Sequence, residues 1–460
     1  MRKWAMIQCL CLCTSLSNAQ PLEIDSADWP TFAGNFQRTG HSLLEGPNST
    51  VVMQTIPLAL NNAGTEIMPP VHVVAGTEQT VYVQSGNVLT ANQWQMNQTT
   101  GEFTITSLWQ YDTLDTMTTS PTIAPDGSLY LGDETGTLYT LNPDGLLAWT
   151  HDTGSPVCSS PTLNENGTLS FGDMSGRVHA LDPAGNVLWI FQTSSPKQNP
   201  TGIITSQAIT HGGLIMTSAL YDPNLYALDP DQGTPVWTHT FEPETWPCST
   251  PVISNNNQVY QILTNGELYA IDALTGATCW SLDLWALTPH HEANVHAPVI
   301  WPSPVLDPNG TLYVALGGPE VYAVAPNGTL KWITTVGTLQ TPCLTIDAMG
   351  DLYVTGCPAL QTYPDTWLHH QWDLSRIEPS GNVTPLWPEF DDAVKRYQNF
   401  GRPILVGHQA LLFVGQARHQ GYGPASINTL FLVSPARDNT TPEDQDDDTI
   451  PPDTIPSTPR

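Results

Sequence analysis

The chain has 460 residues, a hydrophobic share of 40% and a formal net charge of −30 at pH 7. A negative charge of this size repels phosphate backbones and anionic lipid surfaces, so we expect neither nucleic acid nor bare membrane as a partner. Charged residues make up only 12%, and the 35 Gly and 41 Pro residues are typical of a chain with many turns. No apolar pattern of helical length is present. Together these features predict an all-β protein.

Residues 1–19 have the features of a secretory signal peptide. Basic residues at positions 2 and 3 precede an apolar stretch, 4–16, and small residues precede a cut near Ala19/Gln20. The apolar stretch is too short for a transmembrane anchor. Its cysteines do not follow small residues, as a lipoprotein signal would require. The sequence therefore predicts a periplasmic or secreted protein that is monomeric and has no transmembrane segment.

A short pattern that ends in tryptophan recurs along the chain. Its copies "TLYTLNPDGLLAW", "RVHALDPAGNVLW", "NLYALDPDQGTPVW", "ELYAIDALTGATCW" and "EVYAVAPNGTLKW" end at Trp149, Trp189, Trp237, Trp280 and Trp332. Each copy belongs to a longer unit of four alternating apolar runs separated by Gly-containing turns, such as the stretch 120–152. Four such runs are typical of one four-stranded blade of a β-propeller.

The unit occurs eight times, starting near Pro70, Pro121, Pro161, Ala208, Pro251, Pro304, Pro342 and Pro403. The last copy lacks its tryptophan-bearing strand. The segment 49–60 has strand composition and can supply it, which removes open sheet edges. We therefore predict, over residues 20–437, an eight-bladed β-propeller of four-stranded antiparallel blades, with the last blade closed by an N-terminal strand. Residues 438–460, rich in Asp, Pro and Thr, are expected to form a disordered acidic tail.

Two residue types of the repeated pattern have expected structural roles. Asp272 can accept backbone N–H bonds in a tight turn, and Gly276 can adopt the positive φ that the turn requires. The tryptophans fall on the outermost strand of each predicted blade, where an indole ring can pack against the next blade and bury apolar area. These residues are Trp109, Trp149, Trp189, Trp237, Trp280, Trp332 and Trp387.

Five cysteines follow residue 19, namely Cys158, Cys248, Cys279, Cys343 and Cys357. Cys343 and Cys357 fall on consecutive predicted strands and are the expected disulfide in an oxidising compartment. Cys158 and Cys248 occupy matching positions two units apart, beyond the roughly 7 Å between Cα atoms that a disulfide allows. Because five is an odd number, at least one thiol is unpaired or bonds another chain.

The repeat and the opening segment resemble a known superfamily. The pattern Ala270-Ile271-Asp272, Thr275-Gly276 and Trp280, and the stretch "DWPTFAGNFQRTGHS" at 28–42, are similar to those of PQQ-like β-propellers. This superfamily includes quinoprotein alcohol dehydrogenases and the BamB-type outer-membrane assembly factor. The resemblance covers about residues 25–437 and implies the propeller fold, but propellers support many activities, so it implies no single function.

The resemblance also implies an enzymatic alternative, a PQQ-dependent quinoprotein dehydrogenase that oxidises alcohols or sugars with bound PQQ and calcium. Such enzymes use a disulfide between adjacent cysteines, a stacking Trp, calcium-binding carboxylates and an Asp base. No two cysteines are adjacent in this chain, and it has no GxSxG, HExxH or P-loop motif. We therefore assign no catalytic residue and predict no cofactor, with PQQ and calcium expected only under this alternative.

The repeat is interrupted by four insertions, residues 281–302, 356–373, 388–402 and 415–427. In a four-stranded blade, the connection between strands two and three leaves on the same side as the connection to the next blade. These insertions are therefore predicted to form one surface, the loop face, with residue types that anchor interfaces. The predicted binding residues are His290, His291, His296, Trp301, Trp367, His369, His370, Trp372, Lys395, Arg396, Arg402, Arg418, His419 and Tyr422. We predict that the loop face of a non-catalytic scaffold binds a protein or glycan, and whether its histidines hold a metal is left open.

Overall fold

The structure, a computed structural model, describes most of the chain between residues 51 and 435. The described ranges are 51–57, 71–77, 79–97, 103–194, 205–287, 303–316, 320–336, 343–356, 373–386, 397–400, 403–406, 410–417 and 427–435, with the single positions 35, 37, 38, 42, 44 and 47. The predicted signal peptide and the predicted acidic tail lie outside these residues.

Alternating apolar runs form seven four-stranded antiparallel sheets, the blades, in each of which neighbouring strands follow one another in the chain. The first strand, β1 (Val51–Pro57), belongs to a separate sheet. Blade 1 contains β2 Val71–Ala75, β3 Thr80–Ser85, β4 Val88–Met96 and β5 Phe103–Asp112, and blade 2 contains β6 Thr122–Ile123, β7 Leu129–Gly132, β8 Thr137–Leu141 and β9 Leu147–Asp152. Blade 3 contains β10 Thr162–Leu163, β11 Leu169–Gly172, β12 Arg177–Leu181 and β13 Val187–Gln192, and blade 4 contains β14 Ala208–Ile209, β15 Ile215–Ser218, β16 Asn224–Leu228 and β17 Pro235–Thr240.

Blade 5 contains β18 Val252–Ile253, β19 Gln258–Ile262, β20 Glu267–Asp272 and β21 Thr278–Asp283. Blade 6 contains β22 Val305–Leu306, β23 Leu312–Ala315, β24 Glu320–Val324 and β25 Leu330–Thr335. Blade 7 contains β26 Cys343–Ile346, β27 Leu352–Gly356, β28 Asp373–Ile377 and β29 Val383–Pro385. The separate sheet, which we call the closing sheet, contains β1 with β30 Tyr397–Phe400, β31 Ile404–Val406, β32 Ala410–Ala417 and β33 Ile427–Pro435. One turn of 3-10 helix, Trp285–Leu287, follows β21. Within the described ranges, no helix has the length and apolar character needed to cross a membrane.

The predicted count of eight four-stranded blades is wrong, because the structure has seven. The C-terminal strands form the five-stranded closing sheet instead, in which β30 and β31 both pair with β32, at Tyr397↔Ala417 and at Ile404↔Leu412. The insertion 388–402, predicted as loop, therefore contains the strand β30. The predicted all-β class is correct, because every regular element of the described residues is a strand except the 3-10 turn Trp285–Leu287.

The closing sheet joins the two ends of the chain. Strand β1 runs antiparallel to β33, from Val51↔Pro435 to Pro57↔Thr429, so the expected pairing of an N-terminal with a C-terminal strand is present. Since β33 also pairs with β32, each of its edges has a neighbour. The pairing leaves no open edge on β33 for unwanted association.

Packing between neighbouring sheets closes the ring and forms the core. Among the described residues, each of these buried apolar clusters draws its side chains from two adjacent sheets. Ile404 and Val406 of the closing sheet pack with Val81 of blade 1 in one such cluster. On the other side of the closing sheet, the Thr345 hydroxyl of blade 7 donates a hydrogen bond to the Pro403 carbonyl at 2.5 Å. The closing sheet therefore bridges blade 7 and blade 1.

The turn between β20 and β21 shows why the repeated pattern forms hairpins. Asp272 Oδ1 accepts hydrogen bonds from Leu274 N at 3.1 Å and from Thr275 N at 2.8 Å. Gly276 has a φ of 73°, in the left-handed region, and its N–H donates to the Asp272 carbonyl at 2.8 Å. Both residues have the local roles that the pattern indicates.

Outer-strand tryptophans lie on a turn of the next blade. The Trp189 indole Nε1 donates to the Pro230 carbonyl at 2.8 Å, and its ring covers Gly233 so closely that a Cβ there would be 2.4 Å from the ring. Equivalent hydrogen bonds run from Trp109 to Pro143, Trp149 to Pro183, Trp237 to Ala273, Trp280 to Pro326 and Trp332 to Pro379. These contacts lock successive blades together; Trp387 lies outside the described residues.

The cysteines at matching repeat positions face their own blades. Cys158 Sγ lies 3.6 Å from the Gly172 carbonyl oxygen, and Cys248 Sγ lies 3.5 Å from that of Ile262. Burial raises the pKa of both thiols, which keeps them protonated and unreactive. Cys357 lies outside the described residues, so the predicted disulfide with Cys343 stays a prediction.

Candidate functional site

The first strand of each blade is the innermost one. Those of blades 3, 4 and 5 contact one another in order, as do those of blades 6 and 7, and their residues are almost entirely buried. The starts of these strands therefore surround a central channel, as in other propellers.

Residues of the N-terminal segment contact the wall of this channel; the described positions of the segment are 35, 37, 38, 42, 44 and 47. The Gln37 carbonyl accepts a hydrogen bond from Ile253 N in β18 of blade 5 at 3.1 Å. Ser42 N donates to the Ile346 carbonyl in β26 of blade 7 at 2.9 Å. Described positions of this segment therefore contact the innermost strands of two blades that are not neighbours.

Arg38 is the central side chain of this arrangement. It is fully buried, with an exposed fraction of 0%. Its Nε donates to the Gln207 carbonyl at 2.9 Å, and its Nη2 donates to the carbonyls of Pro161 at 3.1 Å and Ser160 at 3.3 Å. Its φ of 63° lies in the left-handed region, which costs a non-Gly residue about 1–2 kcal/mol. The side-chain bonds offset this cost and tie the N-terminal segment to the starts of blades 3 and 4.

Hydroxyl groups link the same blade starts to one another. Ser160 Oγ accepts a hydrogen bond from Ser120 N at 3.0 Å, and Ser206 Oγ accepts one from Ser160 N at 3.0 Å. Thr250 Oγ1 continues the series by accepting from Ser206 N at 3.3 Å. The channel wall of blades 2 to 5 is therefore a hydrogen-bonded belt of the chain's own backbone and hydroxyl groups.

The four long connections of the predicted loop face leave from the same side of the ring. They join β21 to β22, β27 to β28, β29 to β30, and β32 to β33. Because successive strands alternate in direction, connections between second and third strands emerge beside those that lead to the next sheet. The described strand ends that flank these connections are thus placed on one face.

The binding residues predicted on the loop face all lie outside the described residues. They are His290, His291, His296, Trp301, Trp367, His369, His370, Trp372, Lys395, Arg396, Arg402, Arg418, His419 and Tyr422. Their roles stay predictions, which rest on the sequence and on the positions of the flanking strand ends.

Every Lys and Arg within the described residues already has a partner. Arg38 is bonded in the channel, Arg177 lies 2.7 Å from Asp173, and Arg376 Nη2 lies 2.6 Å from an Asp351 oxygen. Lys331 Nζ donates to the Thr311 hydroxyl at 3.1 Å. This part of the chain therefore offers little free positive charge to a ligand.

Blade 3 carries a buried cluster that the sequence pattern did not predict. Asp173 Oδ2 lies 2.8 Å from His179 Nε2, and Phe171 stacks on the His179 ring with centroids 5.2 Å apart. Burial opposes ionisation of Asp173, but hydrogen bonds from His179 and Ser175 hold its pKa below the usual value. The same contact is made in blades 2 and 4 by Tyr139 to Asp133 and by Tyr226 to Asp222. We therefore interpret the cluster as a structural tie between loop and strand.

Sequence comparison identifies the family. A profile described as "Outer membrane protein assembly factor BamB" matches residues 93–280 and 174–355, which together cover more than half of the chain. The chain belongs to this family of PQQ-like β-propellers. The resemblance seen in the sequence is thereby confirmed. No curated protein sequence matches the chain.

Solved structures with a similar fold include a BamB protein and two dehydrogenases. BamB from Moraxella catarrhalis has a TM-score of 0.55 at 14% identity, covering 84% of this chain and 98% of its own. A europium-containing methanol dehydrogenase has a TM-score of 0.63 at 12% identity, covering 89% and 98%. The quinohemoprotein alcohol dehydrogenase from Comamonas testosteroni has a TM-score of 0.58 at 13% identity, covering 89% and 81%. At these identities the similarity shows the fold alone.

Among the described residues at the centre of the ring, Arg38 is fully buried and bonded to backbone carbonyls, so its guanidinium is engaged within the chain. In the described ranges, no group of three or more His, Cys, Asp or Glu side chains is placed to hold a metal ion. Arg38 itself belongs to the stretch 28–42 that carries the family resemblance, which is the signal by which its role could have been found.

Proposed function

We propose that this chain is an exported, non-catalytic PQQ-like propeller that binds a protein partner through its loop face. The observation that supports it is that Gln37, Arg38 and Ser42 of the chain's own N-terminal segment bond to the innermost parts of blades 3, 4, 5 and 7, with Arg38 fully buried there. With the channel used for internal bonds, the long connections are the features that distinguish this chain from a plain repeat. Connections held on a rigid scaffold are where propellers and other repeat folds bind their partners.

The distribution of positive charge also supports the loop face. After residue 19 the chain has eleven Lys and Arg residues, and four of them, Lys395, Arg396, Arg402 and Arg418, belong to the insertions predicted to form the loop face. Of these, Arg402 follows β30 in the chain, beyond the connection that joins β29 to β30. Because the chain as a whole has a net charge of −30, a group of basic residues would make the electrostatic potential of the loop face more positive than that of the remaining surface. Arg and aromatic side chains together are the residue types that contribute most at protein interfaces.

Export and a role in envelope assembly form part of the same proposal. The family description names an outer membrane protein assembly factor, and the sequence predicts signal cleavage near Ala19/Gln20. The mature protein would then work in the periplasm or outside the cell. Intact mass measurement of the protein purified from an extracytoplasmic fraction tests this, and a mass that includes residues 1–19 would contradict it.

Charge removal tests the loop face. The triple variant Arg396→Ala, Arg402→Ala, Arg418→Ala should reduce cross-linked capture of the partner from envelope extracts by at least roughly tenfold, with the thermal midpoint unchanged. The control variant Lys197→Ala, Arg437→Ala, Arg460→Ala removes the same charge elsewhere and should capture as the wild type does. Equal capture by both variants would refute the loop face as the site. Capture that is lost after deglycosylation of the extract would identify a glycan ligand instead of a protein.

A quinoprotein dehydrogenase is the alternative, supported only by the fold shared with the two dehydrogenases. It is tested by adding PQQ and calcium to the purified protein and measuring cofactor absorbance and dye reduction with alcohols or sugars. Saturable turnover would replace the proposed scaffold function with this one.

A further inference from the structure

The outer strand of blade 3, β13, presents an apolar edge to solvent. Its side chains Val187, Leu188 and Ile190 are 47%, 49% and 50% exposed, while Trp189 between them is buried against blade 4. On the same outer rim, Leu147 of blade 2 and Val236 of blade 4 are 47% and 53% exposed. Solvent-exposed apolar side chains therefore continue along the rim on both sides of β13.

Other outer strands carry the features that prevent edge-to-edge association. A charged residue is present in four of them, namely Asp112 in β5, Asp152 in β9, Asp283 in β21 and Lys331 in β25. A proline is present in three, namely Pro57 in β1, Pro235 in β17 and Pro385 in β29. Charge and proline are the usual protection of an exposed strand edge. Among the described outer strands, only β13 has neither.

The backbone of β13 can accept another strand. Thr193 N, just beyond β13, donates to the Gly176 carbonyl at 3.0 Å, and the register pairs Trp189 with Ala180. Because antiparallel pairing alternates, the N–H and C=O groups of Ile190 and Gln192 point away from β12 towards solvent. These are the donors and acceptors that an added strand would use.

We propose that β13 is a docking edge for an extended, basic segment of a partner protein, which adds to blade 3 as a fifth antiparallel or parallel strand. Strand addition takes its affinity from main-chain hydrogen bonds and its specificity from alternate side chains, here those that meet Val187, Leu188 and Ile190. This surface lies on the outer rim and is separate from the loop face of the proposed function.

Charge decides between the two occupants that the edge could accept. A second copy of the chain pairing β13 with β13 would bring together two molecules that each carry a formal charge of −30. A basic segment would instead be attracted to a chain of this net charge, and its association would be faster at low salt. The partner segment is therefore expected to alternate apolar and polar residues and to carry Lys or Arg nearby.

The test uses the full chain and a synthetic peptide of alternating Val and Thr with lysines at both ends, with binding followed by fluorescence anisotropy. Ile190→Pro removes one outward N–H without touching the β12 ladder, and it should weaken binding about tenfold, as expected for the loss of one or two hydrogen bonds. Ile190→Lys, which keeps the backbone intact, should weaken it similarly by repelling the lysines. Hydrogen exchange at Ile190 and Gln192 should slow when the peptide binds.

Matched controls are Thr238→Pro and Thr238→Lys in β17, where Phe241 N donating to the Pro223 carbonyl gives Thr238 the same outward direction. Both controls should bind the peptide as the wild type does. Absence of saturable binding, equal weakening in the Thr238 variants, or protection at other amides would overturn the proposal. A dimer in sedimentation that Ile190→Lys dissociates would identify a second copy as the occupant and would equally overturn it. Retention of peptide binding by the triple arginine variant separates this test from that of the loop face.

Discussion

Arg38 connects residues that are far apart in the sequence. Its bonds reach the Gln207 carbonyl, 169 positions away, and the Ser160 carbonyl, 122 positions away. A buried guanidinium without acceptors would be strongly destabilising, so these carbonyl contacts are a condition of its burial. In turn, they satisfy carbonyl groups that lie just before the ladders of β10 and β14, at the starts of blades 3 and 4. One side chain thus couples the N-terminal segment to the middle of the ring.

Replacing Arg38 by methionine should lower the free energy of unfolding by about 2–4 kcal/mol. Methionine fills similar space but donates no hydrogen bond, so the buried carbonyls of Ser160 and Gln207 lose the Arg38 donor. The Pro161 carbonyl still accepts a hydrogen bond from the Thr122 hydroxyl at 2.7 Å. Urea denaturation followed by tryptophan fluorescence measures the change. Arg38→Lys should recover only part of it, because an ammonium group cannot reach acceptors in two directions as a guanidinium does. An unfolding curve for Arg38→Met that coincides with the wild type would show that the channel bonds contribute nothing.

At the scale of strands and turns, the contact between each tryptophan and the next blade is the repeated unit of stability. A ring packed flat on a turn glycine buries apolar area and places the indole N–H within reach of a turn carbonyl. The turn must therefore offer both a positive φ and a surface without a Cβ. Only glycine meets the two requirements together.

Gly233→Ala and Gly154→Ala separate these two requirements. Both glycines have positive φ, 66° and 71°, but a Cβ on Gly233 would lie 2.4 Å from the Trp189 ring, whereas one on Gly154 would have no neighbour within 4 Å. Gly154→Ala should cost only the backbone strain, about 1 kcal/mol. Gly233→Ala should cost a further 1–3 kcal/mol, roughly, because the ring must move. Thermal unfolding of the two variants measures the difference, and equal midpoints would show that the ring contact is not tight.

The strands were predictable where local chemistry determines them, and unpredictable where distant segments meet. The hairpin turn from Asp272 to Gly276 follows from an Asp acceptor and a glycine with positive φ, both visible in the sequence. The role of Arg38 depends on carbonyls more than a hundred residues away, so the family resemblance of the stretch 28–42 singles out the segment but not the partners of Arg38. The strand β30, Tyr397–Phe400, was assigned to a loop because it forms only by pairing with β32. The residues predicted for the loop face remain predictions.

For the whole molecule, closure of the ring depends on the two ends of the chain. The repeat alone suggested eight equal blades, but the structure has seven and a five-stranded closing sheet, which β1 completes against β33. The same N-terminal region supplies β1 at the outer rim and Arg38 at the centre. Association of the ends is a contact between segments nearly four hundred residues apart, which forms slowly in folding because a long loop must first close.

Deleting residues 20–57 should open the ring. The deletion exposes the edge of β33 and removes the donors of Arg38, so we expect the thermal midpoint to fall by more than about 10 °C and the protein to self-associate through the exposed strand. Deleting residues 438–460 serves as the control and should leave both properties unchanged. A synthetic peptide covering 28–57, added to the first variant, should restore the midpoint, because β1 and Arg38 return without the covalent connection. Differential scanning calorimetry and sedimentation velocity measure these outcomes. A truncated protein that is monomeric and as stable as the full chain would mean that the ring closes without its N-terminal region.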